Sequence, residues 1–361
     1  MKKIFLTAFL LLFPALLTAN ADVYIWMGWN DDCDAEYLHK AFSKFKTHGV
    51  KGVCFNAGFD TDRIKLAASV AKQSGLEYHA WIPCMLQSDC PHEWYAVNRL
   101  GESADEKPAY VPYYKSLDPN NADVQRFLVD KYAEVAKVSD VDYIQLDYIR
   151  YVDVILAKGL WKKYGLVMNE EYPPADYCYC DYCTSDFKQK TGIDIKSVSD
   201  PSKCKAWLAY RCNVVTSLVN MISEAVHREG KKISADVFPY PKDYAIPMVR
   251  QEWDKWDVDA FFPMNYNDFY LEPAKWVGKV TRKEVKLLNG KAPLYSGLFV
   301  CEDWRNKSNI ADPEGWGLSP EELKTAVRGA FKAGASGICL FSASSMTDEH
   351  WAALDEVLAQ P

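Results

Sequence analysis

The amino-acid sequence predicts an α/β fold, a (β/α)8 TIM barrel with long loops after its third and fourth strands. Eight short β-rich runs alternate with helical segments, and each run is nearly continuously apolar, as in a parallel sheet covered on both faces. Eight such units close into a barrel, and no glycine-rich turn follows the first run, which disfavours a doubly wound open sheet. The predicted strands are residues 23–29, 52–56, 77–83, 143–151, 232–238, 259–266, 293–300 and 337–344.

Five of the intervening segments carry clear helix signals. Each of the first four segments has apolar residues at helical spacing, or a glycine shortly after its last residue where the helix would end. The fifth begins with Ser319-Pro320-Glu321-Glu322, a serine cap followed by proline at the first helical position and glutamate at the third. The predicted helices are residues 34–48, 64–74, 123–138, 205–228 and 319–334.

Composition narrows the function classes. Of the 361 residues, 49% are hydrophobic and 25% are charged, which excludes a disordered or collagen-like chain. The net charge of −7 lacks the electrostatic signature of a nucleic-acid-binding protein. The 12 tryptophans and 22 tyrosines are a high aromatic content, which indicates flat surfaces suited to sugar rings.

The N-terminus predicts an export signal. Lys2 and Lys3 are basic, residues 4–17 are mostly apolar, and Ala19-Asn20-Ala21 fits a cleavage site, so residues 1–21 form a predicted signal peptide. The apolar run is shorter than the roughly 20 residues that span a bilayer. We expect an exported protein, periplasmic or secreted, with one barrel domain of residues 22–361 and no integral membrane segment after cleavage.

The longest loops lie on one face of the predicted barrel. Residues 84–122 and 152–204 extend the connections that leave the carboxyl ends of the third and fourth strands. In this fold the carboxyl ends of the strands carry the substrate loops and the catalytic groups. Both loops are rich in aromatic residues, so we expect an aromatic rim around a site at this face.

Two aspartates are the leading candidates for chemistry. Asp147 stands near the end of the fourth strand, above Gln145 on the same face, with Arg150 just beyond as a candidate partner. Asp236 has a comparable position on the fifth strand. A pair of carboxyl groups beside a glycosidic bond can act as nucleophile or base and as proton donor. The alternatives are an Asp147–Arg150 pair that organises the loop and an Asp236 that only orients its neighbours.

Other residues near the predicted strand ends are rival or supporting candidates. Asp268 and Glu302 are rival proton donors. Asp31, Asp32 and Asp34 are better explained by capping of the next helix than by calcium binding. Candidate substrate-binding residues are Trp29, Trp81, Tyr148, Arg150, Asn265, Tyr266 and Trp304.

The cysteines form one dense cluster. Cys178, Cys180 and Cys183 precede a helix, and two interpretations stay open: disulfides or structural thiols that pin the loop, or a metal site completed by Cys204 or Cys212. Because a second paired element is missing from the sequence, we predict no metal.

Three segments resemble the glycosyl hydrolase-like 10 family, a group of secreted bacterial proteins. They are residues 143–151, residues 261–266 and the Cys-x-Cys-x-x-Cys-x-x-x-Phe segment that ends at Phe187. The resemblance implies a TIM barrel, glycosidase activity and Asp147 as the acidic residue of strand four. It leaves the proton donor open, because α-amylase-type barrels favour the position of Asp236 and α-galactosidase-type barrels favour Asp268.

These observations predict a glycoside hydrolase that acts on an oligo- or polysaccharide by carboxylate acid/base chemistry and needs no cofactor. The alternative is a non-catalytic glycan-binding barrel whose carboxyl groups are too far apart to act on one bond. A metal-dependent hydrolase is disfavoured, because the 6 histidines are scattered along the chain. The sugar, the stereochemical outcome and the oligomeric state stay open.

Overall fold

The structure is a computed structural model that describes residues 21–307 and 315–360. The predicted signal peptide therefore lies outside the described residues, apart from Ala21. Eight parallel strands form the predicted (β/α)8 barrel: β1 Asp22–Gly28, β2 Gly52–Asn56, β3 Glu77–Pro83, β4 Tyr143–Asp147, β5 Lys232–Val237, β6 Ala260–Pro263, β7 Tyr295–Phe299 and β8 Gly337–Phe341.

The strands pair in chain order around the barrel. Each of β1 to β5 pairs in parallel with the strand that follows it, β7 pairs with β8, and β8 pairs back onto β1. Two parallel bridges, Phe261 with Leu294 and Met264 with Gly297, complete the circle between β6 and β7. The carboxyl ends of all eight strands consequently meet at one face.

The helices cover the outside of the barrel. All five predicted helices are present, and the cap residues are those that the sequence predicts: Asp34 accepts from the Tyr37 backbone N–H, and Ser319 forms a capping box with Glu322. Further helices between β6 and β7 and after β8 escaped prediction. The helices are α1 Ala35–Thr47, α2 Thr61–Gln73, α3 Ala122–Ala136, α4 Trp161–Tyr164, α5 Asp181–Thr191, α6 Lys205–Arg228, α7 Ile246–Val249, α8 Trp276–Leu288, α9 Pro320–Lys332 and α10 Asp348–Leu358.

Several strands end earlier than their apolar runs predict. Strand β4 was expected to reach residue 151 but ends at Asp147, because Tyr148 adopts a left-handed conformation with a φ of 48°. The apolar residues that follow turn over the barrel mouth and pack there. Hydrophobicity alone does not distinguish a strand residue from a buried loop residue at this face.

Aromatic side chains fill the inside of the barrel. Tyr24, Trp26 and Phe262 pack there with smaller residues from β2 and β8. A Cβ on Gly297 would lie 3.0 Å from the Trp26 indole, so glycine makes room for that ring. His79 stacks on Tyr143 at a centroid distance of 4.1 Å, and burial lowers its pKa to about 3, so it is a neutral core residue.

The two long loops pack on each other. The Arg99 N–H donates to the Asp176 carbonyl at 2.9 Å, and the Tyr179 N–H donates to the Val97 carbonyl at 2.7 Å. The buried Arg211 forms an ion pair with the buried Asp176 beneath them. The loops thus form one layer above the barrel. Within the part of the chain that the structure describes, none of the helices combines the length and apolarity that crossing a membrane requires.

Candidate active site

A cavity of about 380 Å³ opens at the carboxyl ends of the strands, a volume typical of small-ligand sites. The final residues of five strands line it: Asn56, Pro83, Asp147, Phe299 and Phe341. Asp236 and Trp26 reach it from inside the barrel. The rest of the wall is largely aromatic and includes Trp81, Tyr114, Tyr148, Phe238, Tyr266, Phe269 and Tyr270.

Asp147 is a buried carboxylate with a donor on each oxygen. Its Oδ2 accepts a hydrogen bond from Trp81 Nε1 at 2.9 Å, and its Oδ1 accepts one from the Tyr148 backbone N–H at 2.7 Å. Burial raises the pKa of Asp147 above its usual value, while these donors and the positive charge of Arg150 oppose that rise. The directed donors favour the ionised form.

Asp236 has a different environment. Its Oδ1 accepts a hydrogen bond from Gln145 Nε2 at 2.8 Å, whereas its Oδ2 is buried with no hydrogen-bond partner among residues 21–307 and 315–360. Burial, and then the charge of Asp147, raises the pKa of Asp236 well above its usual value. A carboxyl group in this position favours the protonated form.

The two aspartates lie side by side on adjacent strands. Leu146 on β4 pairs with Ala235 on β5, so Asp147 and Asp236 are the next residues along the same register. Neighbouring strands are about 4.8 Å apart, and side chains at matching positions point to the same face. Tyr266 lines the same cavity, and burial, followed by the charges of Asp236 and Asp147, raises the pKa of its phenol well above the usual value.

Arg150 lines the cavity but does not pair with Asp147, contrary to one expectation from the sequence. Its Nη1 donates to Asp153 Oδ2 at 2.6 Å, and both side chains are buried. The guanidinium lies 4.8 Å from the ring centroids of Tyr148 and Phe238. The loop after β4 therefore contains its own ion pair, and Asp147 remains accessible from the cavity.

Three of the predicted substrate-binding residues lie outside the cavity. Trp29 packs on Phe55, with the Arg63 guanidinium 5.0 Å from its ring, and Trp304 packs beneath Arg305. Asn265 is buried on the opposite side of the strand, where its Nδ2 donates to Glu284 and Ser296 at 3.0 Å each. Strand alternation explains this position, because Met264 and Tyr266 face inward. Trp81, Tyr148, Arg150 and Tyr266 do line the cavity.

The two rival proton donors are also separate from the cavity. Asp268 Oδ2 accepts hydrogen bonds from the Gly317 N–H at 2.7 Å and from Lys307 Nζ at 3.2 Å, so it anchors the loop after β7. Glu302 is exposed in an adjoining groove that shares Tyr114 and Tyr148 with the cavity. Neither lines the cavity with Asp147, whereas Asp236 does.

Sequence reasoning missed several residues of the cavity. Asp153 was not identified, although its position three residues after Arg150 is the available signal for an ion pair. Tyr270 and Phe269 come from the short connection after β6, where an aromatic pair has no distinctive pattern. Tyr114 belongs to the aromatic rim that was expected on the loop after β3, but the sequence does not show which of that loop's rings face the site.

Comparisons with known proteins identify the fold. No protein-family model and no curated protein matches the sequence. Among solved structures, the chain is similar to the catalytic domain of β-amylase from Paenibacillus polymyxa, with a TM-score of 0.62 and 14% identity over 95% of this chain and 99% of that chain. The glycoside hydrolase domain of PgaB (BpsB) from Bordetella bronchiseptica gives a TM-score of 0.65 and 14% identity, over 94% and 99% of the two chains. A chitinase from Chromobacterium violaceum gives a TM-score of 0.51 and 11% identity, over 94% of this chain and 100% of that chain.

The likeness to these three structures agrees with the (β/α)8 TIM barrel that the strand order shows. At such low identity the likeness extends to the fold alone. The function must be argued from the site.

Proposed function

We propose that this protein is a glycoside hydrolase that cleaves glycosidic bonds in an oligo- or polysaccharide. The observation that carries the proposal is the pair Asp147 and Asp236, adjacent in register at the floor of an aromatic cavity. The two environments favour opposite protonation states, as a carboxylate mechanism requires. The fold that the chain shares with a β-amylase, a chitinase and a glycoside hydrolase domain supports this class.

Asp147 is the proposed nucleophile or charge stabiliser, because donors from Trp81 and Tyr148 hold it as an oriented anion. Asp236 is the proposed general acid. In the first step Asp147 attacks the anomeric carbon while Asp236 gives its proton to the leaving oxygen. In the second step Asp236 takes a proton from water, which displaces the carboxylate of Asp147. No cofactor takes part in these two proposed steps.

The cavity wall fits a carbohydrate. Trp81, Tyr148 and Tyr266 present ring faces and polar edges, which suits the apolar faces and the hydroxyl groups of a sugar ring. The adjoining groove beside Tyr113 and Trp316 offers space for further sugar units. We also propose that the protein is exported to the periplasm or the medium. The same proposal includes membership of the glycosyl hydrolase-like 10 group, which the sequence resembles.

The alternative, a non-catalytic glycan-binding barrel, is less well supported. It requires Asp147 to be neutralised by Arg150 or to lack a second carboxyl group nearby. Arg150 is instead paired with Asp153, and Asp236 occupies the matching position on the next strand.

Two isosteric variants test the proposal with a panel of oligosaccharides and aryl glycosides. Asp147→Asn should lower kcat by about 10³-fold or more on every substrate, since the nucleophile is removed. Asp236→Asn should lower kcat by about 10²–10⁴-fold on natural substrates, but much less on aryl glycosides whose leaving group needs no proton. Asp32→Asn, an exposed aspartate in the loop after β1, is the control and should keep full activity.

The binding-only alternative makes a different prediction for the same proteins. It holds if the wild type binds glycans in calorimetry without cleaving any of the panel. A loss below tenfold in folded Asp147→Asn would also remove the catalytic assignment.

A further inference from the structure

Three cysteines and one aspartate converge at the junction of the two long loops. Cys178, Cys180 and Cys183 come from the loop after β4 and the start of α5, and Asp118 comes from the end of the loop after β3. One ligand atom from each lies within 4.8 Å of all the others. Cys180 Sγ is 3.3 Å and Cys183 Sγ is 3.2 Å from Asp118 Oδ2.

We propose that these four side chains bind a single Zn²⁺ ion as a closed structural site. Cysteine sulfur binds zinc at about 2.3 Å and carboxylate oxygen at about 2.1 Å, which places sulfur and oxygen about 3.6 Å apart in a tetrahedral site. The separations of 3.3 and 3.2 Å between Asp118 Oδ2 and the two sulfurs are within about 0.4 Å of that value. Cysteine and aspartate are both established zinc ligands, and four protein ligands leave no open position for catalysis.

The backbone around the cluster is arranged to stabilise thiolates. The Val97 N–H points to Cys178 Sγ at 3.4 Å, and the Cys183 N–H points to Cys180 Sγ at 3.3 Å. The Asn120 side-chain amide lies 3.8 Å from Cys183 Sγ. Donors that reach the ligand atoms are the usual outer shell of a metal site, where they offset the negative charge of the sulfurs. Each of the three sulfurs has one.

Asp118 distinguishes a metal site from a disulfide. Its carboxyl group is buried, its Oδ1 accepts a hydrogen bond from the Asn120 backbone N–H at 2.9 Å, and among the described residues no lysine, arginine or histidine forms an ion pair with it. A disulfide between Cys180 and Cys183 would remove both thiols that face Asp118 Oδ2 and would leave that buried oxygen against sulfurs that can donate nothing. A cation bound between the carboxylate and the thiolates provides the missing positive charge.

The geometry corrects the ligand set that the sequence suggested. The metal interpretation that the sequence left open was completed by Cys204 or Cys212, but neither belongs to the cluster, and Asp118 takes the fourth position. All eleven cysteines are unpaired in the part of the chain that the structure describes. The prediction of no metal is replaced by this proposal.

The proposed ion would tie together the two loops that build the walls of the candidate active site. Asp118 follows Tyr114 by four residues, and the cysteines lie on the same loop as Arg150 and Asp153. A second pocket of about 680 Å³ borders Asp118 and Cys180 and connects the cluster to solvent. The role is structural and does not depend on the proposed glycosidase activity.

Metal analysis of the purified full-length chain, prepared without chelator or histidine tag, tests the proposal. Mass spectrometry of the metal content should find about one zinc ion per chain. Cys180→Ser and Cys183→Ser should lose most of it, and Asp118→Ala should release zinc faster to EDTA. Cys204→Ser removes a half-buried cysteine outside the cluster and should retain the full zinc content. Substitution with Co²⁺ should produce thiolate-to-metal charge-transfer absorption that Cys180→Ser weakens.

A measurement on the wild type alone keeps the proposal falsifiable if the variants do not fold. Alkylation after denaturation with chelator and without reductant should label all 11 cysteines. Two fewer labels on peptides of the cluster would establish a disulfide and overturn the proposal. A wild type without metal after zinc loading, or zinc retained equally by Cys180→Ser, would overturn it as well.

Discussion

Asp147 and Asp236 are adjacent in register on β4 and β5, yet only Asp147 has a hydrogen-bond donor on each of its carboxyl oxygens. Among the described residues, Asp236 Oδ2 is buried without such a donor. Two chemically identical side chains thus occupy environments that favour opposite protonation states. The difference originates in their neighbours, because Trp81 and the Tyr148 amide point at one carboxyl group, and the charge of that group disfavours ionisation of the other.

This asymmetry predicts a bell-shaped dependence of kcat/KM on pH. Burial raises the pKa of both aspartates, and that of Asp236 more strongly. Activity should fall on the acid side as Asp147 gains its proton and on the alkaline side as Asp236 loses its own. The two apparent pKa values of this profile belong to Asp147 and Asp236 as a coupled pair and not to either residue alone. In Asp236→Asn the alkaline limb should disappear while the acid limb remains. An unchanged alkaline limb would assign the proton donor to another group.

The Asp236 side chain should also lower the free energy of unfolding at neutral pH. Because its pKa is raised in the folded state, the folded protein holds this proton at pH values where the unfolded chain, with a pKa of about 3.9, has lost it. The free energy of unfolding therefore decreases as pH rises from about 3.9 through the folded-state pKa. Asp236→Asn keeps the acceptor for Gln145 and should stabilise the protein at pH 7 by on the order of 1–3 kcal/mol.

The stabilisation by Asp236→Asn should shrink as the pH approaches 4, and urea titrations at several pH values measure it. Asp32→Asn, on the exposed loop after β1, should change the free energy of unfolding by less than about 0.5 kcal/mol. A destabilised Asp236→Asn at pH 7 would contradict the raised pKa of this buried group.

The register of the pair predicts the stereochemical outcome. Carboxyl groups at matching positions of strands about 4.8 Å apart fit the separation of about 5–5.5 Å found in retaining enzymes, and not the 6.5–9.5 Å or so of inverting ones. We therefore expect hydrolysis with retention of the anomeric configuration. Proton NMR of the first product, recorded before mutarotation, decides the matter. An inverted product would mean that a water molecule enters between Asp147 and a more distant acid.

Much of the fold could be predicted from the sequence because its signals are local. The eight apolar runs, the Asp34 cap and the capping box at Ser319 each lie within one element, and the structure has all of them. The side-by-side position of Asp147 and Asp236 follows from the same kind of signal, since strand alternation determines the face. The prediction placed Asn265 in the site together with its neighbour Tyr266, although consecutive strand residues point to opposite faces. The structure places the Asn265 side chain on the face away from the cavity, against Glu284.

The remaining features depend on contacts between distant segments. Asp118 meets cysteines about 60 residues further along the chain, and no local motif connects them. In the sequence Asp268 resembles an exposed acidic residue at a strand end. In the structure its carboxylate accepts hydrogen bonds from Gly317 and Lys307 of a later loop. Such partnerships arise from loop packing, which the periodicity of the sequence does not encode.

The indole of Trp81 should support the chemistry through its hydrogen bond to Asp147. Trp81→Phe keeps an aromatic ring in the wall but removes the donor at 2.9 Å from Asp147 Oδ2. Since that donor favours the ionised carboxylate, its loss should raise the pKa of Asp147 and move the acid limb of kcat/KM to higher pH, with kcat about 10- to 100-fold lower. Trp29→Phe, at a ring outside the cavity, is the matched control and should leave both quantities unchanged. Equal effects of the two variants would assign Trp81 a merely structural role.

The buried pair Arg150–Asp153 predicts a large cost for removing one partner. In Asp153→Ala the Arg150 guanidinium loses its 2.6 Å partner while it stays buried against Tyr148 and Phe238, so we expect a loss of about 3–5 kcal/mol in the free energy of unfolding. The double variant Arg150→Met/Asp153→Leu removes both charges and should recover most of that loss.

An exposed ion pair supplies the control for this experiment. Asp62 lies 3.3 Å from Lys65 with 91% of its side chain exposed, and Asp62→Ala should cost less than about 1 kcal/mol. Because Arg150 also lowers the pKa of Asp147, the double variant should shift the acid limb of activity to higher pH even where stability is restored. If Asp153→Ala costs no more than Asp62→Ala in urea unfolding, the pair does not hold this loop. If the acid limb stays in place in the double variant, Arg150 has no electrostatic effect on Asp147.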